Sequence, residues 1–274
     1  KSTEGIILKT EKSVLFLIPW ANQWLVGTTD TPYTEDRSRP LADRSDVEYI
    51  INEANKVLKP KLKIEDVIGV YAGLRPLVAN KKDSETTKLS REHTVDRSAP
   101  GFVSIAGGKY TTYRVMGKDV IDLAGVELRR IVADSVTNKV PIVGADGYFA
   151  LEQQVDRIAE ESGLSAESVR HLLNRYGSLI SEILELIKQD PKLAKPVTKD
   201  LPYLKAEIYY AVSHEGARSV DDVLSRRTRL AFEAPNSAMD LVDDVAAIIA
   251  PVLGWTAKQK KDSINAYFDI AERE

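Results

Sequence analysis

The stretch Phe102-Val-Ser-Ile-Ala-Gly-Gly-Lys-Tyr-Thr-Thr-Tyr-Arg114 changes its period in the middle. Up to Ala106 it is a short apolar run bounded by turn residues, which predicts a strand. After Gly108, apolar residues recur three and four apart at Val115, Met116, Val120 and Leu123, which predicts a helix over 109–124. A strand that ends in two glycines and passes at once into a helix sets backbone without Cβ atoms beside free N–H groups and the positive end of a helix dipole. Such a place suits an anion or an electron-rich ring edge. Lys109, Thr111 and Thr112 add a fixed charge and two hydroxyls, and capping of the helix is the structural alternative for the threonines.

Working outward, Gly5–Leu8, Val14–Ile18, Trp24–Gly27 and Val67–Leu74 read as further strands, and 45–58 as an amphipathic helix covering a sheet behind a Ser45/Glu48 capping box. The rear of the chain differs. Helix-start signals at Ser165, Ser219 with Asp222, Ser237 with Asp240, and Thr256 with Gln259 each lead into apolar residues at helical spacing. The expected fold class is α+β: a partial antiparallel-sheet domain with covering helices over 1–143, then an all-α bundle over 144–274. Charge supports the division, with 22 basic and 19 acidic residues in the front against 16 and 22 in the rear. The Pro/Gly segment near Pro141–Gly147 marks the junction.

The 274 residues, 43% apolar and 29% charged, can bury one large core or two ordinary ones. A net charge of -3 and a pI near 5.8 argue against nucleic-acid binding. The absence of cysteine excludes disulfides and thiol chemistry, and His93, His171 and His214 are too scattered to suggest a metal site. The longest nearly apolar run, Val245–Trp255, is roughly half the ~20 residues of a spanning helix and is interrupted by Pro251 and Gly254. The start at Lys1, without methionine or a secretory signal, leads us to expect a cytoplasmic fragment of a longer protein.

Two more cations stand out in the front part. Arg75 closes the apolar run Val70-Tyr-Ala-Gly-Leu-Arg75, and Pro76 prevents a regular continuation. Arg91 shares one face of an expected strand with His93. Arginine grips phosphate or carboxylate bidentately, so Arg75, Arg91 and Lys109 together favour an anionic ligand over separate structural ion pairs. Asp30, in Gly27-Thr-Thr-Asp30, reads as a turn residue. His93 could accept a proton in an alcohol oxidation, with a structural histidine as the better reading. His171 and His214 read as surface or core-edge residues. Arg226, Arg227 and Arg229 lie close to Asp221, Asp222, Glu215 and Glu233, which favours intramolecular ion pairing.

Five front motifs, Phe16-Leu-Ile-Pro-Trp20, Gly27-Thr-Thr-Asp30, Gly73-Leu-Arg-Pro-Leu77, Ser90-Arg-Glu-His-Thr94 and Gly107-Gly-Lys-Tyr-Thr-Thr-Tyr-Arg114, occur in that order. With the rear segment Val220-Asp-Asp-Val-Leu-Ser-Arg-Arg-Thr-Arg-Leu230, they resemble the FAD-dependent glycerol-3-phosphate dehydrogenases over nearly the whole chain. That family's Gly-x-Gly-x-x-Gly fingerprint does not occur here, so the resemblance is to its C-terminal half. It implies that Arg75, Arg91 and Lys109 hold the substrate phosphate and surround the reacting carbon, with Lys109 the catalytic candidate. It also implies that Gly107, Gly108 and Thr111 lie against the pyrimidine edge of the flavin. The implied reaction passes hydride from C2 of sn-glycerol 3-phosphate to FAD and electrons onward to quinone. The base is expected in the missing half, so the fragment alone should lack FAD and activity. Peripheral membrane association on the cytoplasmic face and a homodimer joined through exposed strand edges complete the expectation. A related amine or hydroxy-acid oxidoreductase, or a non-catalytic helical docking module, are the rival readings.

Overall fold

The computed structural model describes residues 3–11, 14–20, 22–78, 92–128 and 131–273. By its internal contacts the chain falls into two units, 1–40 with 72–141 and 41–71 with 142–274. The segment 41–71, expected with the front part, thus belongs with the helices.

The first unit holds two small antiparallel sheets. Strands β1 (Ile6–Lys9), β2 (Val14–Trp20) and β3 (Gln23–Gly27) form a meander, with Ile6 opposite Leu17 and Trp20 opposite Gln23. Along β2 the side chains alternate as a pleated strand requires: Leu15 and Leu17 are buried, while Phe16 and Ile18 are exposed. Strands β4 (His93–Ala99) and β5 (Phe102–Gly107) form a hairpin in which His93 faces Gly107.

Helix α1 (Arg44–Ala54) falls in the second unit, whereas both sheets fall in the first. Its cap also lies earlier than Ser45. Asp43 Oδ1 accepts from Asp46 N at 3.0 Å, and Asp43 N donates back to Asp46 Oδ2 at 3.4 Å. Ser45 instead donates to Asp43 Oδ1 at 2.6 Å. Residues 67–74 form no strand, again against expectation. Val67 is extended, but the segment joins no ladder among the described residues.

Helix α2 (Tyr113–Glu127) returns the first unit's chain onto the β4–β5 hairpin. It starts later than Lys109, because Tyr110–Thr112 form a 3-10 turn ahead of it. Two polar ties hold it to β4: His93 Nε2 lies 2.8 Å from Asp119 Oδ2, and Arg97 Nε lies 2.7 Å from Glu127 Oε1.

The remaining helices of the second unit are α3 (Tyr148–Glu152), α4 (Val155–Ser162), α5 (Ala166–Tyr176), α6 (Ile180–Gln189), α7 (Lys205–Ser213), α8 (Leu230–Glu233), α9 (Val242–Leu253) and α10 (Ala257–Ala271). Ser165 caps α5 by accepting from Ser168 N at 3.0 Å, and Thr256 with Gln259 forms the capping box of α10. Ser237 caps nothing. It sits in a left-handed stretch at φ 50°, and α9 begins at Val242 without a side-chain cap. Val169, Leu172 and Leu173 of α5, three and four apart, enter one core with Ile180, Ile183 and Ile187 of α6. Val242, Val245, Ala246 and Ile249 of α9 enter a second core with Leu224, Leu230 and Tyr267. Helix α7 joins the two, giving Ala206 and Tyr210 to one and Ile208 and Ala211 to the other. It is apolar nearly all round because it is packed nearly all round.

Candidate functional site

The strand-to-helix turn is the centre of the first unit's polar chemistry. Gly107 and Gly108 have φ of 76° and 81°, a region that L side chains rarely enter. A Cβ on Gly107 would lie 2.7 Å from Glu92 O and 2.8 Å from Val78 Cγ2. On Gly108 it would lie 2.5 Å from Met116 Sδ and 3.2 Å from His93 Cβ. Both glycines therefore serve conformation and close approach at once. One side of the turn is closed by the protein, and approach is left to the side carrying Lys109, Tyr110 and Thr111, all exposed.

Gly107→Ala is accordingly expected to destabilise the protein more than Gly108→Ala. Each replacement costs about 1–2 kcal/mol for the left-handed backbone. Only at Gly107 is the nearest obstacle a backbone carbonyl; at Gly108 it is a flexible thioether that can swing aside. Denaturant midpoints of the two variants measure this, and a reversed order would refute it.

The threonines divide their work. Thr112 Oγ1 accepts from Lys109 N at 3.1 Å and donates to Lys109 O at 2.9 Å, closing the turn. Thr111 takes no part in that closure. The amides of Tyr110 and Thr111, at the first positions of the turn, have no intrahelical acceptor and point with the positive end of α2. The Lys109 ammonium has no carboxylate partner among the described residues.

Arg75 is paired with Asp30: its Nη1 donates to Asp30 Oδ2, tying Gly73-Leu-Arg-Pro to Gly27-Thr-Thr-Asp. Asp30 is therefore more than a turn residue. Its carboxylate holds one corner of a guanidinium whose other donors have no partner among the described residues, and the Arg75 side chain is 39% exposed. A three-residue turn, Leu77 N to Arg75 O at 2.9 Å, fixes the chain's exit. Three residues after Arg75, Val78 reaches Gly107, and so does Glu92, which follows Arg91. The stretches bearing Arg75, Arg91 and Lys109 thus meet at one glycine. Arg91 itself lies outside the described residues. His93 is engaged with Asp119.

A second polar cluster, in the helical unit, escaped the sequence reading. Glu207 on α7 is fully buried and accepts from Leu204 N at 3.1 Å, Tyr176 OH at 3.2 Å and His171 Nε2 at 2.9 Å. Arg175 Nε lies 3.4 Å from Glu207 Oε2, and the guanidinium sits 5.1 Å from the centre of the Tyr203 ring. Burial pushes the Tyr176 phenol above its usual range, so it stays a neutral donor. Glu215 is also pushed up by burial, with Arg175 and Arg227 opposing. The available signal was His171 and Arg175 four apart on one helix, facing a single acidic residue in an apolar one.

The basic run in the same unit is engaged internally. Arg226 pairs with Asp221 and with Asp222 at 3.2 Å, Arg229 pairs with Glu233 at 3.2 Å, and Arg227 Nε donates to Glu215 O at 2.9 Å. Among the described residues no group of three or more His, Asp or Glu side chains is placed to hold a metal ion.

Residues 3–122 match the family model of FAD dependent oxidoreductase, and residues 135–260 match that of the C-terminal domain of alpha-glycerophosphate oxidase. The chain is 48% identical over 273 residues to glycerol-3-phosphate dehydrogenase 2 of Mycobacterium tuberculosis, covering 100% of this chain and 46% of that protein. It is 31% identical to the mitochondrial glycerol-3-phosphate dehydrogenase of Homo sapiens, covering 92% of this chain and 35% of that one. Among solved structures, the glycerol-3-phosphate dehydrogenase of Bacillus halodurans complexed with FAD superposes with a TM-score of 0.79 at 26% identity, covering 98% of this chain and 53% of that one. The chain thus spans less than half the length of these sequence relatives. Front and rear match successive family models, and over its whole length the chain is similar to the glycerol-3-phosphate dehydrogenases.

Proposed function

We propose that the full-length protein containing this chain oxidises sn-glycerol 3-phosphate at C2 to dihydroxyacetone phosphate, with this chain supplying the substrate cradle and part of the flavin contact. The observation that carries the reading is the meeting at Gly107 of the stretches bearing Arg75, Arg91 and Lys109. Three cations from separate stretches suit a phosphate dianion better than a single carboxylate, which one guanidinium satisfies. FAD, when bound, supplies the acceptor for the hydride that leaves C2.

The chain's own residues do the holding. Arg75, oriented by Asp30, and Arg91 grip the phosphate. Lys109, unopposed by a carboxylate among the described residues, lies at the start of the turn and stabilises negative charge near the reacting carbon. Gly107, Gly108 and Thr111 fit a flat ring edge, because their backbone passes without Cβ atoms into free amides at a helix start. Those amides favour negative charge growing on that edge. The C2 hydroxyl proton goes to a base outside this chain, since His93 is committed to Asp119.

Residues 1–143 form the cradle's share of the whole protein and 144–274 its helical C-terminal domain. Electrons leave to a quinone from a peripheral position on the cytoplasmic membrane face, and the whole protein is a homodimer. No helix among the described residues is long and apolar enough to cross a membrane. The test is anaerobic mixing of the purified full-length flavoprotein with glycerol 3-phosphate, glycerol or amino acids. Loss of the oxidised flavin's visible absorbance is expected with glycerol 3-phosphate alone; bleaching by amino acids and not by glycerol 3-phosphate would overturn the reading.

A further inference from the structure

We propose that His93 and Asp119 are positioning residues for the flavin: their pair fixes the start of α2 against the end of β5 and so raises the reduction potential of the ring beside it. The inference rests on the flavin contact proposed for Gly107, Gly108 and Thr111. It goes beyond that reading by giving His93 and Asp119, which lie in the same unit of the chain, a part in tuning the contact.

His93 opens β4 and stands opposite Gly107, the last residue of β5. A Cβ on Gly108 would come within 3.2 Å of His93 Cβ, so the root of the imidazole walls the glycine turn from the strand side. Met116 Sδ, 2.5 Å from the same point, walls it from α2. Asp119 follows Met116 by three residues and so shares its face of the helix. There Asp119 Oδ2 meets His93 Nε2 at 2.8 Å. The His93 side chain is 20% exposed, so the contact is partly withdrawn from water. Strand and helix are thus joined across the glycine pair, by a thioether in contact with it and a polar tie just beyond.

A second tie sets the register. Arg97 Nε lies 2.7 Å from Glu127 Oε1, and the Glu127 side chain is 8% exposed. From His93 to Arg97 the strand advances about 13 Å. From Asp119 to Glu127 the helix advances about 12 Å. With these spacings matched, α2 runs beside β4 in the same direction, and a slide along the strand strains both ties at once. Their duties differ by place. Arg97–Glu127 holds the far end of α2, whereas His93–Asp119 lies about 9 Å along the helix from Tyr113 and holds the end that carries the free amides of Tyr110 and Thr111.

The closure of Thr112 on Lys109 is local, so it keeps the shape of the turn without placing it against the strand. That placement falls to His93 and Asp119. The field of a helix end fades within its first turn, so a small retreat of the start weakens its hold on negative charge at the ring edge. A loose start therefore disfavours the reduced, more electron-rich flavin and lowers its potential. His93 acts here through the turn and not on substrate: it stands on the side closed by protein, with Nε2 engaged by a carboxylate.

The test is the two-electron reduction potential of the flavin in the full-length holoenzyme, read by equilibration with redox dyes. His93→Ala and Asp119→Ala are each expected to lower the ratio of reduced to oxidised flavin about fivefold, a shift of about 20 mV. The double variant should lower it no further. Loss of a carboxylate by charge alone would raise the potential, so a fall with Asp119→Ala marks position. His93→Gln can donate to Asp119 from nearly the same point, and should restore most of the shift with kcat within about threefold, whereas replacing a general base would cost about 10²–10⁴-fold. Arg97→Ala is expected to lower the denaturant midpoint and leave the potential in place. Lys109→Met and Tyr110→Pro probe the turn itself, removing its cation and one free amide; proline suits Tyr110, the first position after the extended Lys109. If both leave the potential unchanged, the turn does not face the flavin, and that reading falls with this inference. If either shifts it while His93→Ala and Asp119→Ala do not, or if the latter two add in full, the positioning role alone is refuted. An equal shift in Arg97→Ala, or loss of turnover in His93→Gln, refutes it as well. Should His93→Ala fail to accumulate, Asp119→Ala, at a side chain 39% exposed, and His93→Gln decide the question in the same way.

Discussion

Arg75→Ala in the full-length flavoprotein is expected to lower kcat/KM for glycerol 3-phosphate by about 100-fold, carried mainly by KM. A charge-assisted hydrogen bond to phosphate is worth more than a neutral one, and about 2.7 kcal/mol of lost transition-state binding corresponds to 100-fold. The upper end of such effects belongs to fully buried pairs. Arg75 is partly exposed, and Asp30 already occupies one of its donors, so we place the loss in the middle of the range. Arg75→Lys keeps the charge and loses the fork, and should recover less than half of the loss on a logarithmic scale. Asp30→Asn separates orientation from charge. It releases the corner of the guanidinium while leaving Arg75 in place, and its effect should be smaller than that of Arg75→Ala. Steady-state kinetics of the three variants decide the matter; Arg75→Ala within twofold of the parent would remove Arg75 from the substrate site.

The same residues show what a linear sequence carries and what it conceals. The strand, glycine pair and helix around Gly107 were legible because all the determinants are local: an apolar run, two residues without Cβ atoms, and a change of period. The role of Gly107 as a meeting point was not, because Val78 and Glu92 reach it from distant parts of the chain. Residues 67–74 looked like a strand for a similar reason. An apolar run is the same in sequence whether it meets a sheet edge or, as Gly69 does, the backbone at Phe232. At α1 the ambiguity is local: Asp43/Asp46 and Ser45/Glu48 are both cap patterns three apart, and Asp43 prevails with Ser45 donating to its carboxylate. Ser237 fails as a cap because the chain around it runs left-handed from Asn236 to Ala238, which no cap pattern encodes. The Arg75–Asp30 pair joins two motifs that had been noted separately, and only folding could connect them.

The cluster around Glu207 leads to the second large effect, on stability. Glu207→Ala should lower the thermal midpoint of the helical unit by roughly 6–20 °C. The range combines about 3–5 kcal/mol for breaking a buried ion pair with about 2–4 °C per kcal/mol for a domain of this size. The cost lies in the groups left behind. His171, Tyr176 and the amide of Leu204 all lose their acceptor, and Arg175, only 13% exposed, keeps a charge with no carboxylate at Nε. Glu215 cannot fully replace it: burial already disfavours its ionised form, and its Oε2 has no hydrogen-bond partner among the described groups. Glu207→Gln removes the charge at nearly constant shape: an amide oxygen at the Oε1 position still accepts from Leu204 N and His171 Nε2, while the Oε2 position that serves Tyr176 OH becomes an NH2 donor. It should therefore fall between the parent and Glu207→Ala. Removing the cation as well, in Glu207→Ala with Arg175→Met, should recover part of the loss, because an uncompensated buried charge costs more than an apolar replacement of the pair. Circular dichroism melts of these variants test the order. A Glu207→Ala midpoint within 2 °C of the parent would mean that water reaches the cluster freely and that the buried network does not hold α5 against α7.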